Sequence, residues 1–114
     1  MNNNTLSIMG PDAINICKNY HADKLFLSVS AISVKKGLMN PNRLESETKK
    51  ALIEISHEVI VVTDSSKIGK TALYSFGKID DISTLITDAH VDTEFVEELE
   101  KRGIEVIIAQ SDVE

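Results

Sequence analysis

Between positions 64 and 67 the chain gathers a carboxylate, two hydroxyls and an ammonium: Asp64, Ser65, Ser66 and Lys67. Such a set can hold a polar, anionic small molecule. The ammonium pairs with a negative group, while the hydroxyls and the carboxylate exchange hydrogen bonds with alcohols. These residues follow directly on Val59-Ile60-Val61-Val62 and Thr63. Four β-branched apolar residues in a row read as a strand buried on both faces of a parallel sheet. In open α/β sheets, ligands bind just beyond the carboxyl ends of the strands, where this cluster falls. A polar loop in which Asp64 caps a turn accounts for the same residues without a ligand.

Other sets carry less. Lys35-Lys36-Gly37 follows an apolar strand. If the strands are parallel, its ammonium groups lie on the same side of the sheet as Lys67 and could hold a phosphate or carboxylate. A lysine-bearing surface loop explains them equally well. Gly69-Lys70-Thr71 imitates the end of a nucleotide phosphate loop, but the required earlier glycine is replaced by Asp64 and a strand-like segment follows instead of a helix. His21, His57 and His90 show no metal-ligand spacing, and a core Cys17 with a helix-end His21 explains that pair. Asp88, His90 and Asp92 alternate as a hard-cation loop might, yet a strand end followed by a helix N-cap accounts for them. Glu94, Glu97, Glu98 and Glu100 read as a solvated helix face. No metal, cofactor or catalytic group is expected.

The elements that must position the Asp64–Lys67 cluster can be traced along the chain. Pro11 and Asp12 open a short helix carrying Ala13, Ile14 and Cys17, which ends near Tyr20 or His21. Leu25 to Ile32 reads as a strand, and Gly37 to Asn42 as a loop. Asn42 caps a helix with Glu45 three residues on, as in a capping box. Leu44, Thr48, Ala51, Leu52 and Ile55 form its inner face, with Lys49, Lys50 and Glu54 outward. A strand over Glu58–Thr63 follows, then a loop through Gly69, a short strand or extended segment over Ala72–Phe76 and a strand over Ser83–Thr87. Asp92 caps a helix that turns Phe95, Val96 and Leu99 inward and stops at Gly103. Ile104–Ala109 is the last strand. Helices between apolar strands predict a layered α/β fold with a mainly parallel sheet flanked by helices. Residues 1–7 read as a disordered or extended tail, and 8–114 as one domain. A sheet of this kind normally has more strands on its N-terminal side, so the chain is expected to be a partial domain, or one that completes its sheet with a partner.

Composition narrows the function. The chain has 114 residues, 42% hydrophobic and 26% charged, which suits one soluble globular domain. Aromatic residues are only 4%, so Ile, Val, Leu and Ala must build the core. Eighteen acidic and 12 basic residues give a net charge of −6, a surface that repels a nucleic-acid backbone. The single cysteine excludes an intrachain disulfide and fits a reducing cytoplasm. No apolar run approaches the roughly 18 residues that span a bilayer. The start, Met-Asn-Asn-Asn-Thr, lacks the pattern of a signal peptide.

Several segments together carry a resemblance. Asp23-Lys24-Leu25-Phe26-Leu27 followed by Lys36-Gly37-Leu38, and Glu45 through Ile53, resemble the DeoR-type transcriptional regulators in their C-terminal effector-sensing domain. So do Val59 through Gly69, with its Asp-Ser-Ser-Lys, and Ile82 through Asp88, with its Ile-Thr-Asp. The resemblance covers nearly the whole chain from about Ile8 onward. It implies a fold like that of the sugar-phosphate isomerase and CoA-transferase group. It also implies a sensor of a phosphorylated sugar or related metabolite, in a cytoplasmic, homo-oligomeric repressor that reaches DNA through an N-terminal winged helix-turn-helix outside this chain. By position, Asp64, Ser66 and Lys67 match the family's strand-end motif, and Glu45 and Lys49 its charged helix start. The family's Gly-rich stretch with an acid is here Ser28-Val29-Ser30-Ala31-Ile32. A sugar-phosphate isomerase fragment and a pure oligomerisation module are the alternatives.

Overall fold

The computed structural model describes residues 22–109. In chain order the elements are β1 (Ala22–Leu27), β2 (Ala31–Ser33), β3 (Gly37–Asn40), α1 (Arg43–Ile55), β4 (Ser56–Val62), β5 (Tyr74–Gly77), β6 (Thr84–Asp88), α2 (Thr93–Lys101) and β7 (Glu105–Ala109). Single 3-10 turns cover Ser65–Lys67 and Ile79–Asp81. The apolar runs pair in parallel as a four-stranded sheet in the order β1-β4-β6-β7. The expected α/β architecture with a mainly parallel sheet and flanking helices is therefore present.

Register decides what each face of that sheet does. Leu27, Val61, Leu85 and Val106 stand side by side across the four strands. With Leu25 and Val59 they meet Leu52 of α1, Phe95 and Leu99 of α2, and Ile32, Leu38 and Phe76 in one apolar core. Because side chains alternate along a strand, the residues between them point the other way. On that second face Phe26, Val62 and Ile107 are 46%, 45% and 41% exposed.

Three sequence expectations are corrected. Leu25 to Ile32 is two strands, not one. The chain leaves the parallel sheet at Ser28, whose carbonyl oxygen accepts from Lys49 Nζ, and Ser30 N donates to Met39 O to begin a hairpin. Gly37 to Asn42 is mostly strand β3, not loop. It pairs antiparallel with β2 and β5 in a second, three-stranded sheet, with Gly37 through Asn40 all buried. The inner face of α1 holds at Thr48, Ala51, Leu52 and Ile55, but Leu44 is 40% exposed and Ser46 is buried. The cause is the second sheet: α1 touches β3 and β5 as well as β1 and β4, so it is packed on two sides. Lys49, expected outward, is drawn in between them, with its side chain only 12% exposed. Lys50 and Glu54 do face solvent.

The helix ends follow local chemistry. Asn42 Oδ1 accepts from Glu45 N at 2.8 Å, and Asp92 Oδ1 accepts from Glu94 N at 3.4 Å, each occupying an orphan donor of a first turn. Gly103, at φ +84°, turns the chain from α2 into β7. The helix expected over Pro11 to His21 lies outside the described residues.

Candidate functional site

Because the four paired strands are parallel, their carboxyl ends share one edge, and α1 begins on that edge before running back to the start of β4. The Asp64–Lys67 cluster lies there, in the turn after β4. Asp64 organises the turn from within. Its Oδ1 accepts from Ser66 N at 2.9 Å and also from Ser66 Oγ, while Lys67 N donates to Asp64 O at 3.2 Å. Asp64 and Ser66 thus spend part of their capacity on each other. The four bonding sites of a carboxylate leave others open, and Asp64 remains exposed.

Neighbouring strands hold the turn at both ends. Ser65 N donates to Asp88 Oδ2 at 2.8 Å, and His90 N donates to Asp88 Oδ1 at 2.9 Å. On the other side, Ile68 bridges to Ile32 and Gly69 N donates to Ile32 O at 2.8 Å. Gly69 has φ +86° there, a conformation suited to glycine. Among the described residues Lys67 forms no ion pair. Its ammonium therefore sits on a fixed backbone without a carboxylate to neutralise it.

Glu45 and Lys49 reach the same edge one strand over. Lys49 Nζ donates to Ser28 O at 2.8 Å, just past the end of β1, and lies 3.3 Å from Glu45 Oε2. The ammonium also stands 5.4 Å above the Phe76 ring. Leu27 of β1 pairs with Val61 of β4, so the two groups are neighbours across one strand pair. No hydrogen bond or ion pair between them is formed among the described residues. Lys49 is saturated by its surroundings and fastens α1 to the end of β1, whereas Lys67 is not.

Sequence reasoning missed the part played by Asp88. A signal was present: Thr63-Asp64 and Thr87-Asp88 repeat one dipeptide at the ends of two adjacent strands. The N–H of Ser65, above all, together with the Ser65 hydroxyl and the N–H of His90, holds the Asp88 carboxyl below its ordinary value of 3.8. A carboxyl lowered by folding contributes order that is complete above the unfolded pKa and is lost as pH falls through the lower folded value. In an NMR acid titration, the Ser65 and His90 amide signals should move together with a midpoint below 3.8. A midpoint at or above that value would show that these contacts do not persist in solution. Beside Asp88, the buried hydroxyl of Thr87 has no hydrogen-bond partner among the described residues, nor does that of Ser46 in the first turns of α1.

Lys35 and Lys36 do not join this edge. They occupy the β2–β3 turn, next to the last turns of α1 and the segment before β6, at the amino end of the parallel strands. The hairpin reverses the chain after β1, which the sequence-based placement beside Lys67 did not include. Among the described residues no three His, Cys, Asp or Glu side chains converge as metal ligands would. None of the described helices is long and apolar enough to cross a membrane.

Comparison with known proteins places the chain among transcriptional regulators. The chain is 33% identical over 103 residues to the HTH-type transcriptional regulator GlpR of Haloferax volcanii, covering 90% of this chain and 40% of that protein. It is 29% identical over 105 residues to the HTH-type transcriptional repressor GlcR of Bacillus subtilis, covering 92% of this chain and 40% of that protein. It is 30% identical over 105 residues to the HTH-type transcriptional regulator IolR of the same species, covering 92% and 42%. The chain thus spans well under half the length of these relatives, which are regulators rather than enzymes. Residues 1–89 match the family model described as the DeoR C-terminal sensor domain, and the chain belongs to that family of transcriptional-regulator sensor domains.

Proposed function

We propose that this chain is the effector-sensing part of a sugar-responsive transcriptional repressor, and that it takes a phosphorylated sugar or a related metabolite at the carboxyl edge of its parallel sheet. One observation carries the reading. Lys67 presents an unpaired ammonium in a turn clamped by Asp88 on one side and Ile32 on the other. A fixed backbone beneath the lysine leaves only its side chain to be ordered when an anion arrives. The remaining capacity of Asp64 and Ser66 suits sugar hydroxyls. Glu45 and Lys49 support the neighbouring wall. In this reading DNA is bound by a helix-turn-helix module outside the chain, and the effector acts by favouring one of two conformations of the full regulator. The full regulator works in the cytoplasm as a homo-oligomer.

Calorimetric titration with a panel of sugar phosphates and their unphosphorylated parents tests the site. A phosphorylated member should bind, and Lys67→Ala should weaken it by about tenfold or more, the usual value of a charge-assisted hydrogen bond. The parent sugar should lose little between wild type and variant. Equal affinity of the phosphorylated ligand for both proteins would remove Lys67 from the site.

A further inference from the structure

The amino-terminal edge of the parallel sheet holds a cleft of about 730 Å³, within the size range of small-molecule sites. It lies at the opposite end of the strands from the Asp64–Lys67 turn. Ile53, Phe76 and Ile79 give it an apolar floor. Around the rim stand Lys35, Lys36, Lys50, Lys78 and Arg102, five of the chain's 12 basic residues, in a chain of net charge −6. With Glu54, Asp80 and Asp81 also lining it, the cleft keeps a positive excess in an otherwise acidic chain.

The acids in the cleft offset part of the basic charge, not all. Asp80 is occupied by Arg102, whose Nη1 lies 3.1 and 3.0 Å from its two carboxylate oxygens, and Glu98 holds the same guanidinium at 3.0 Å. Asp81 accepts from Lys78 N at 2.9 Å, a neutral donor, so it keeps its charge, as does Glu54. Against these two stand four lysines that form no ion pair among the described residues. They come from three separate segments: the β2–β3 turn, the end of α1 and the start of the turn before β6.

The rim is built rather than loose. Lys36 N donates to Ser33 Oγ at 2.9 Å, and Lys36 O accepts from Ser75 Oγ at 3.1 Å. Gly37, at φ +81°, brings the turn so close to Gly77 that an added Cβ would lie 2.1 Å from Gly77 O. The backbone beneath the lysines is thus fastened to β5.

The geometry points to a second anion site in this cleft, one that takes a compact polyanion with two or more phosphate or carboxylate groups over an apolar floor. A single charge would satisfy one side of the rim, while ammonium groups on three segments call for negative charge spread over several positions.

The test uses the 114-residue chain, labelled with 15N and titrated with inorganic pyrophosphate and, separately, with citrate. Saturable amide shifts are expected at Lys35–Gly37 and Ser75–Asp81. The double reversal Lys35→Glu/Lys36→Glu should weaken binding by about tenfold or more. Should that variant not fold, Lys50→Gln on the exposed side of α1 should weaken it by about threefold. Lys67→Ala should leave it unchanged, which separates this site from the one proposed at the carboxyl edge. Binding of pyrophosphate alone assigns the site to phosphates, and binding of both probes to polyanions in general. Shifts centred on Ser65–Gly69 that vanish in Lys67→Ala would overturn the inference. So would shifts that fail to saturate, or an affinity that charge reversal does not alter.

Discussion

Gly37→Ala is expected to lower the stability of this chain by about 3 kcal/mol or more. Two costs combine. At φ +81° an alanine enters the left-handed region, at about 1–2 kcal/mol. Its Cβ would also sit 2.1 Å from Gly77 O, and because that neighbour is backbone, β3 and β5 must separate to accommodate it. The control is Gly69→Ala. Gly69 has φ +86° with nothing within 4 Å of a new Cβ, so only the conformational cost of about 1–2 kcal/mol applies. Urea denaturation of both variants reads the difference. Equal midpoints would mean that the close approach of the hairpin to β5 is not a feature of the folded chain.

Leu85→Ala should be of similar size, about 3–4 kcal/mol. Leu85 is fully buried in the centre of β6, beside Val61 and Val106. Both strand neighbours are hydrogen-bonded in register, so the backbone has little room to close the cavity. A domain of this size is stable by about 5–15 kcal/mol, and the loss is a large part of that. The mutation also bears on the site, because Thr87 and Asp88 continue the same strand. Amide exchange at Ser65 should quicken in Leu85→Ala with the core strands. A loss below about 1 kcal/mol would show that Leu85 does not fill the space the packing assigns to it.

Some of this was legible from residue types alone. The β4 run and its polar continuation were readable because four β-branched residues in a row have few alternatives. The starts of α1 and α2 were readable because Asn42 and Asp92 cap locally, within three residues. The stop at Gly103 was equally local. The misreadings have a common origin in contacts between residues distant along the chain. Nothing near Ser28 marks it as the acceptor for Lys49, 21 residues later, so the break between β1 and β2 was invisible. Gly37 to Asn42 carries Gly and Asn-Pro, which are loop signals, yet Leu38 and Met39 are buried between β2 and β5, and β5 lies far along the chain. Lys49 looked like a solvated helix lysine because charge is normally exposed. The Phe76 ring and the Ser28 carbonyl supply the partners that let it sit inside. Of the candidate site, the strand-end cluster was legible and its clamp was not, since Asp88 and Ser65 are 23 residues apart.

The bond from Gly69 N to Ile32 O has a mechanical consequence. It rivets the turn that carries Lys67 to the first strand of the small antiparallel sheet. That strand runs directly into the Lys35–Lys36 turn, at the far end of the molecule. A displacement of the Lys67 turn therefore either shears this rivet or drags β2 along with it. The small sheet thus ties the two ends of the parallel strands to each other through Ile32.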